Sequence, residues 1–364
     1  MTRVLFATGG TGGHIYPALS VAKEAQVRGY QPIFLGGADS MEARVIPEAG
    51  FEFHGVATGK WDRSRPDPRQ GFKAVKGLAQ AVQWVRRLEP AVVIGFGGFA
   101  SFPGLAAARI LGVPYVLHEG NAYPGKVTRW LAGGAAAVAV SQQAAAAHLP
   151  QANKIVVTGF PVREERVDKA EARARLNLPA TGPLTFVMGG SQGSVVLNEA
   201  VPAAFGELAA PGFVLHSVGR RWETQVEERT RDLETYHTTG FVDATLAWSA
   251  ADLAITRAGI STLSEAAFHG VPVIMVPLPS SAENHQLHNA QSVAAAGAGW
   301  VVEEKNLAEL RATWQHALEP EVLEQASRAP RVLSPRVAAG ALVDLLDTVL
   351  CSTHPANPQP QESL

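Results

Sequence analysis

One cysteine, Cys351, is all that 364 residues contain, so no intramolecular disulfide framework exists and a reducing compartment fits. Charge of one sign is missing as well. Thirty-one basic residues against 33 acidic ones leave a net charge of −2, which argues against a dedicated nucleic-acid binder, usually basic overall. Uninterrupted hydrophobic runs are also lacking. Pro90 to Ala108 carries no charge and is long enough to span a bilayer. Gly95, Gly97, Gly98, Ser101, Pro103 and Gly104 nevertheless interrupt it with backbone that lipid does not tolerate. A buried strand, a glycine loop and a helix describe it better. Met1 to Ala7 has one basic residue and too short an apolar stretch for a secretion signal, so neither a leader nor a transmembrane segment is expected.

Apolar material is plentiful by contrast. Hydrophobic residues make up 46% and charged residues 18%, enough for sizeable cores, and the length suggests two domains. Short β-rich runs alternate with helical patterns, the signature of βαβ units and parallel sheets. In the first half, strands are expected at Arg3–Ala7, Pro32–Leu35, Phe51–Val56, Ala91–Ile94, Tyr115–Leu117 and Ala136–Val140, with helices at Ile15–Arg28, Met41–Ala49 and Gly71–Arg87. The second half restarts the pattern. Strands are expected at Leu184–Met188, Phe213–Ser217, Leu253–Thr256 and Val273–Val276, and helices at Ser194–Leu208, Ser261–His269 and Asn284–Ala296. The boundary falls within Thr158–Arg166, where Gly159 and Pro161 mark turns. An amphipathic helix, Arg336–Leu350, precedes a Pro/Ser/Gln-rich tail over 351–364 that is expected to be disordered.

Three glycine loops follow expected strands: Gly9-Gly10-Thr11-Gly12-Gly13-His14, Gly95-Phe96-Gly97-Gly98 and Gly189-Gly190-Ser191-Gln192-Gly193. Glycines let backbone approach a ligand, and a helix start offers free N–H groups to an anion. A dinucleotide site calls for an acidic residue at the end of the second strand; Leu35-Gly36-Gly37 stands there, so NAD is not expected. Neither a Gly-Lys-Ser/Thr P-loop nor an Asp-x-Asp pair for a metal-chelated sugar nucleotide occurs. His285 and His288 have helical ligand spacing but no evident third ligand. Neither a metal nor another cofactor is expected.

A phosphate-bearing ligand held without metal remains. Arg257-Ala258-Gly259-Ile260-Ser261-Thr262-Leu263-Ser264-Glu265 follows a strand, and Ser261 and Thr262 suit an N-cap region whose N–H groups hold a diphosphate. Glu265, a turn later, is placed either to accept from two ribose hydroxyls or to close a capping box. Glu283-Asn284-His285-Gln286, at a helix start, offers polar side chains to a sugar.

Taken together, these segments resemble the MurG-type glycosyltransferases of bacterial cell-wall synthesis. The matching stretches run in family order from residue 9 to about 290: GGTGGHIYP at Gly9–Pro17, Gly95–Pro103, HEGNAYPG at His118–Gly125, GFPVR at Gly159–Arg163, GGSQG at Gly189–Gly193, Arg257–Glu265 and HQLHNA at His285–Ala290. The resemblance implies a GT-B fold, an α/β architecture of two Rossmann-like parallel-sheet domains facing across a cleft. It implies an N-terminal acceptor and membrane-associating domain over 1–160 and a UDP-GlcNAc-binding domain over 161–335. A helix over 336–350 would return to the first domain. The implied activity is inverting transfer of GlcNAc from UDP-GlcNAc to lipid I, giving lipid II. Donor contacts carry over to Thr11, Gly12, Gly13, Asn121, Arg163, Ser191, Val242, Ile260, Ser261, Thr262, Leu263, Ser264, Glu265 and Gln286. The Val242 backbone would read uracil, Glu265 hold the ribose and Ser191 meet the diphosphate. Asn121 and Gln286 would address GlcNAc hydroxyls. Two departures stand on the acceptor side: Gly120 where the family has glutamine, and Thr128 where it commonly has asparagine.

Inversion needs one base and a stabilised leaving group. Leaving UDP would meet the N–H groups of Ile260–Thr262, Ser191 and Arg163. For the base, His14 is favoured, because the helix N-terminus disfavours imidazolium; Glu119 is the rival. Lys60 to Arg87 holds eight basic residues against Asp62 and Asp67, interleaved with Trp61, Phe72, Val75, Leu78, Ala79, Val82 and Val85. That pattern suits an interfacial helix on the anionic inner leaflet of the cytoplasmic membrane, and equally a packed helix with a solvated face. Other cell-wall proteins are conceivable partners, and nucleic acid is not. Three alternatives stay open: another acceptor, an epimerase, or a non-catalytic UDP-sugar-sensing scaffold.

Overall fold

A computed structural model describes residues 1–59, 68–190, 192–209, 212–329 and 338–353. These form two compact units, the first made of residues 1–120, 124–161 and those from 338 on, the second of 121–123 and 162–329. The first unit is built on a seven-stranded sheet of β1 (Arg3–Ala7), β2 (Gln31–Gly37), β3 (Glu52–Val56), β4 (Val92–Gly95), β5 (Tyr115–Glu119), β6 (Ala137–Val140) and β7 (Ile155–Val157), ordered β3-β2-β1-β4-β5-β6-β7. The second has a six-stranded sheet of β8 (Leu184–Met188), β9 (Phe213–Ser217), β10 (Tyr236–Thr239), β11 (Leu253–Thr256), β12 (Val273–Met275) and β13 (Gly299–Val301), ordered β10-β9-β8-β11-β12-β13. Adjacent strands pair in parallel throughout both sheets.

Central strands read as continuous apolar runs because helices cover both faces of a parallel sheet. Val4 to Ala7, Val92 to Ile94 and Ala137 to Val140 are all without solvent exposure. The strands missing from the sequence reading, β7, β10 and β13, lie at sheet edges. Tyr-His-Thr-Thr in β10 is mostly polar, and β7 and β13 are at most half-buried. An edge strand needs little apolar patterning, so no periodicity betrays it. Shorter helices were missed too, such as Lys169–Arg175, which Asp168 caps by accepting from Ala170 N at 2.9 Å and Glu171 N at 3.2 Å.

The helix Ala338–Thr353 packs on the first unit. Leu342, Val343 and Leu346 are buried with Val4, Phe6, Ile15, Ala22, Ile94 and Val116 in one core. Arg28 pairs with Asp344, and Tyr30 donates to Asp347. Burial and that carboxylate push the Tyr30 hydroxyl up to about 12. The helix outruns its expected end at Leu350, so Cys351 is helical; the tail beyond 353 and residues 336–337 lie outside the described residues.

Two buried histidines, His118 and His216, and the half-buried His269 make stability depend on pH. Burial, reinforced by the neighbouring His14 and opposed by a hydrogen bond with the Gly159 backbone, lowers His118 to about 4. Burial alone lowers His216 to about 3, and burial with the Arg166 charge lowers His269 to about 4. The unfolded chain binds these protons near the ordinary histidine value of roughly 6.5. Stability is therefore whole above that pH and lost as pH falls toward the folded values. Unfolding free energies from urea titrations should be flat above roughly pH 6.5 and fall steadily as pH drops from there toward the folded values; a flat profile down to about pH 4 would contradict the assignment.

Candidate active site

Strand order reverses between β1 and β4 in the first sheet and between β8 and β11 in the second. Ligands in open α/β sheets bind at such reversals, beyond the carboxyl ends of the strands. The glycine loops after β1, β4, β8 and β11 lie there.

In the first unit, Gly9 and Gly10 take φ of +145° and +89°, conformations that glycine tolerates best. Gly12 and Gly13 do not. The helix begins at Gly12, earlier than the expected Ile15, so both glycines belong to its first turn after the cap residue Thr11. A Cβ at Gly13 would find nothing nearer than Thr11 Oγ1 at 3.7 Å, so the site is open rather than packed. His14 sits in the same turn, with Nδ1 3.1 Å from Thr11 Oγ1. Thr8 Oγ1 donates to the His14 carbonyl at 2.9 Å. The imidazole lies against Gly97 and Gly98, where a Cβ at Gly98 would stand 3.1 Å from Nδ1.

Glu119, at the end of β5, is 4% exposed. Its Oε2 accepts from Gly125 N at 2.9 Å and from Thr128 Oγ1 at 2.7 Å. The carboxylate thus clamps its own loop, and Thr128, noted above as a departure, is one of its donors. Nearby His118 is buried between Phe96 and Phe160, ring centroids 5.2 and 5.6 Å away.

In the second unit the helix Ile260–His269 starts from Gly259, which has φ −68°, ψ 136° and no side-chain cap bond. Ser261 and Thr262 therefore are not caps, as their sequence suggested; they are first-turn residues. The N–H groups of Ile260, Ser261 and Thr262 accordingly have no intrahelical acceptor, and a Cβ at Gly259 would meet nothing within 4 Å. Leu263 and Ser264 are buried on the inner face of this helix. Glu265 is half-buried and belongs to no capping box: its Oε2 accepts from Trp248 Nε1 at 2.9 Å. Burial raises this carboxyl above its ordinary value, while the Trp248 bond and the Arg163 charge pull it back.

Gln286 is turned inward at its carbonyl end. Its Oε1 accepts from Ala258 N at 3.1 Å and Leu278 N at 3.0 Å, which leaves the amide N–H groups as the end able to address a ligand. Asn289, one turn on and fully buried, was not singled out from sequence. Its Oδ1 accepts from Ala122 N at 2.9 Å, and its Nδ2 donates to Asn121 Oδ1 at 3.2 Å. The spacing of Gln286 and Asn289 on one helix face was the available signal. Arg257, read from sequence only as the start of the segment running to Glu265, ties loops together: its Nε donates to Ser194 Oγ at 3.1 Å and its Nη1 to the Val276 carbonyl at 3.1 Å, joining the loops after β8, β11 and β12.

Val242 is half-buried, between β10 and the helix Ala244–Ala250 that Asp243 caps. Beside it Gln192, Arg220, Arg221, Gly240 and Phe241 line a cavity of about 350 Å³. In the loop after β8, Gly193 is required by packing, since an added Cβ would overlap the Val218 carbonyl, whereas one at Gly190 meets open space. Ser191 lies outside the described residues.

A model of the glycosyltransferase family 28 N-terminal domain matches residues 4–140, and a model of the family's C-terminal domain matches residues 184–339. The chain belongs to glycosyltransferase family 28. The protein of Deinococcus deserti named UDP-N-acetylglucosamine--N-acetylmuramyl-(pentapeptide) pyrophosphoryl-undecaprenol N-acetylglucosamine transferase is 48% identical over 363 residues, 91% of this chain and 92% of that one. The like-named protein of Thermus thermophilus is 45% identical, covering 95% and 100%. The crystal structure of Acinetobacter baumannii MurG superimposes with a TM-score of 0.81 at 28% identity, covering 96% of this chain and 100% of that one. This family 28 chain is thus a MurG-family member with the two-domain GT-B fold class.

The family 28 helix Pro68–Leu88 divides its apolar residues. Ala81, Val85 and Leu88 are buried against the sheet. Phe72 and Val75 are 73% and 70% exposed, alternating with Lys73 and Lys76. The expected basic segment from Lys60 to Asp67 lies outside the described residues. Among the described residues, no helix is long and apolar enough to cross a membrane.

Proposed function

We propose that the chain is an inverting N-acetylglucosaminyltransferase that moves GlcNAc from UDP-GlcNAc to the muramoyl 4-hydroxyl of lipid I, making lipid II for peptidoglycan and so serving cell shape and division. The observation that carries this reading is the unoccluded first turn at Gly259–Thr262 beside Glu265, in a chain 48% identical to a transferase of that name. Three free N–H groups suit a diphosphate, and a carboxylate steadied by Trp248 suits two ribose hydroxyls. The backbone of Val242 reads the base; Asn121 and the amide of Gln286 address the sugar. Thr11, Gly12 and Gly13 let the transferred group approach, and His14 takes the proton from the attacking hydroxyl. The helix start, Ser191 and Arg163 stabilise the charge that develops on departing UDP.

In this reading residues 1–160 bind the acceptor and residues 161–335 the donor. The chain works at the cytoplasmic face of the membrane, held by Phe72 and Val75 with Lys73 and Lys76 beside them and Arg86 and Arg87 in the last turn of the same helix. Anionic liposomes should retain the protein, and neutral liposomes or high salt should release it; equal retention by both would remove the anchor.

The deciding assay is UDP release from UDP-GlcNAc with and without a lipid I analogue in detergent. Acceptor-dependent release with a disaccharide product supports the transferase. Release without acceptor favours an epimerase or hydrolase, and donor binding with no release favours the scaffold.

Gly259→Ala probes the donor loop separately. Its φ is ordinary and its Cβ has room, so the melting temperature should not move. The KM for UDP-GlcNAc should rise about 10–100-fold, the worth of a hydrogen bond to a charged group. An unchanged KM would mean the diphosphate lies elsewhere.

A further inference from the structure

The first unit holds a carboxylate that the transfer scheme leaves unused. Glu42, at the start of the helix Glu42–Glu48, is without solvent exposure. Both of its oxygens face backbone: Oε1 accepts from Gly37 N at 2.8 Å and Oε2 from Gly10 N at 3.1 Å. The surrounding glycines leave it only that space. A Cβ added at Gly9 would overlap Oε1, and one at Gly36 would stand 2.9 Å from its Cγ. On the other side, a Cβ at Gly10 would stand 3.1 Å from the ring of Phe99.

An ionised carboxylate is costly to bury unless hydrogen bonds compensate, and an apolar side chain would fill the same space more cheaply. The gain therefore lies in the two N–H groups that it fixes. In a Rossmann-like unit, the N–H groups of the first glycine loop meet a ligand phosphate, and an acid ending the second strand meets a ribose. Here the second strand ends in Gly37, and the acid arrives from the following helix to bind both loops. The protein's own carboxylate stands where a bound anion's oxygens would.

We infer that Glu42 is a positioning residue for the transfer reaction: by holding Gly10 against Gly37 it fixes the loop whose next residue, Thr11, orients His14. The inference rests on the proposed role of His14 as base. The contacts run in series, from the Glu42 carboxylate to Gly10 N and from Thr11 Oγ1 to His14 Nδ1. Loosening the first link frees the imidazole by the kind of small displacement that lowers turnover without touching the donor loops of the second unit.

The test uses the full chain carrying Glu42→Gln, which keeps shape and volume but cannot accept both N–H groups, with Glu42→Ala as the harsher variant. Two readouts are taken. Hydrogen exchange over residues 8–16 should quicken about tenfold in Glu42→Gln, with β8 and β11 unchanged. Turnover with UDP-GlcNAc and a lipid I analogue should fall roughly 10–100-fold while the KM for UDP-GlcNAc stays constant. Wild-type exchange over residues 8–16 in Glu42→Gln overturns the inference, as does local loosening with unchanged turnover. Faster exchange everywhere, with donor affinity lost alongside turnover, also overturns it by showing a general structural role. Should Glu42→Ala fail to fold, Glu42→Gln still decides. If the wild-type protein does not use the lipid I analogue, the proposed function fails, and the exchange pattern alone judges the hold of Glu42 on the loop.

Discussion

Replacing His14 with alanine is expected to lower acceptor-dependent turnover about 10²–10⁴-fold, the range for a lost general base, and to leave UDP-GlcNAc affinity unchanged. Its position supports that outcome. The ring stands in the first turn of the helix Gly12–Val27, with Thr11 Oγ1 at 3.1 Å from Nδ1 and the Gly97-Gly98 backbone beneath it. The rival carboxylate, Glu119, has Oε2 engaged by Gly125 and Thr128, and losing it should open the loop as well as slow the reaction. Steady-state kinetics with a lipid I analogue, paired with donor titration, separates the two. A normal turnover number in His14→Ala would remove the histidine from the chemistry.

Asp252→Ala should cost about 3–5 kcal/mol of stability, because it strands a buried cation. Arg173 is 3% exposed. Its Nη2 donates to Asp252 Oδ2 at 2.6 Å, and its remaining nitrogens are spent on the carbonyls of Ala250, Pro179 and Ala180. The same carboxylate oxygen accepts from Leu184 N at 2.8 Å, at the start of β8. Lys169, which also pairs with Asp252 but is half exposed, gives the contrast: Lys169→Ala should cost about 0–1 kcal/mol. Urea unfolding of both variants measures the difference. Similar small losses would show that solvent reaches Arg173 after all.

Much of the fold was legible because buried parallel strands announce themselves as apolar runs. Leu184–Met188, Phe213–Ser217 and Leu253–Thr256 are found at the bounds read from sequence. Of the four edge strands, β7, β10 and β13 were illegible for the converse reason, whereas β3 was read as Phe51–Val56. At the candidate site, glycine loops were plain to see but their glycines were not equivalent. Gly9 and Gly193 answer to neighbouring atoms, whereas Gly190 and Gly259 face open space. A string of letters does not separate these cases, since room is a tertiary property. Ser261 and Thr262 misled as caps because the chain enters its helix two to three residues earlier, at Gly259. Trp248, Asn289 and Glu42 act across distances in sequence that no local motif encodes: Trp248 steadies Glu265 on its helix, while Asn289 and Glu42 hold loops.

The helix Ala338–Thr353 has a consequence for the order in which the protein assembles. Leu342, Val343 and Leu346 complete a core that begins at Val4, yet a ribosome delivers them only after every strand of the second sheet has been made. The first sheet must wait with part of one face uncovered during all of that synthesis, a period when apolar surface invites misassociation or a chaperone. The second unit has no such wait. The half of the molecule that is translated first is therefore the half that finishes folding last.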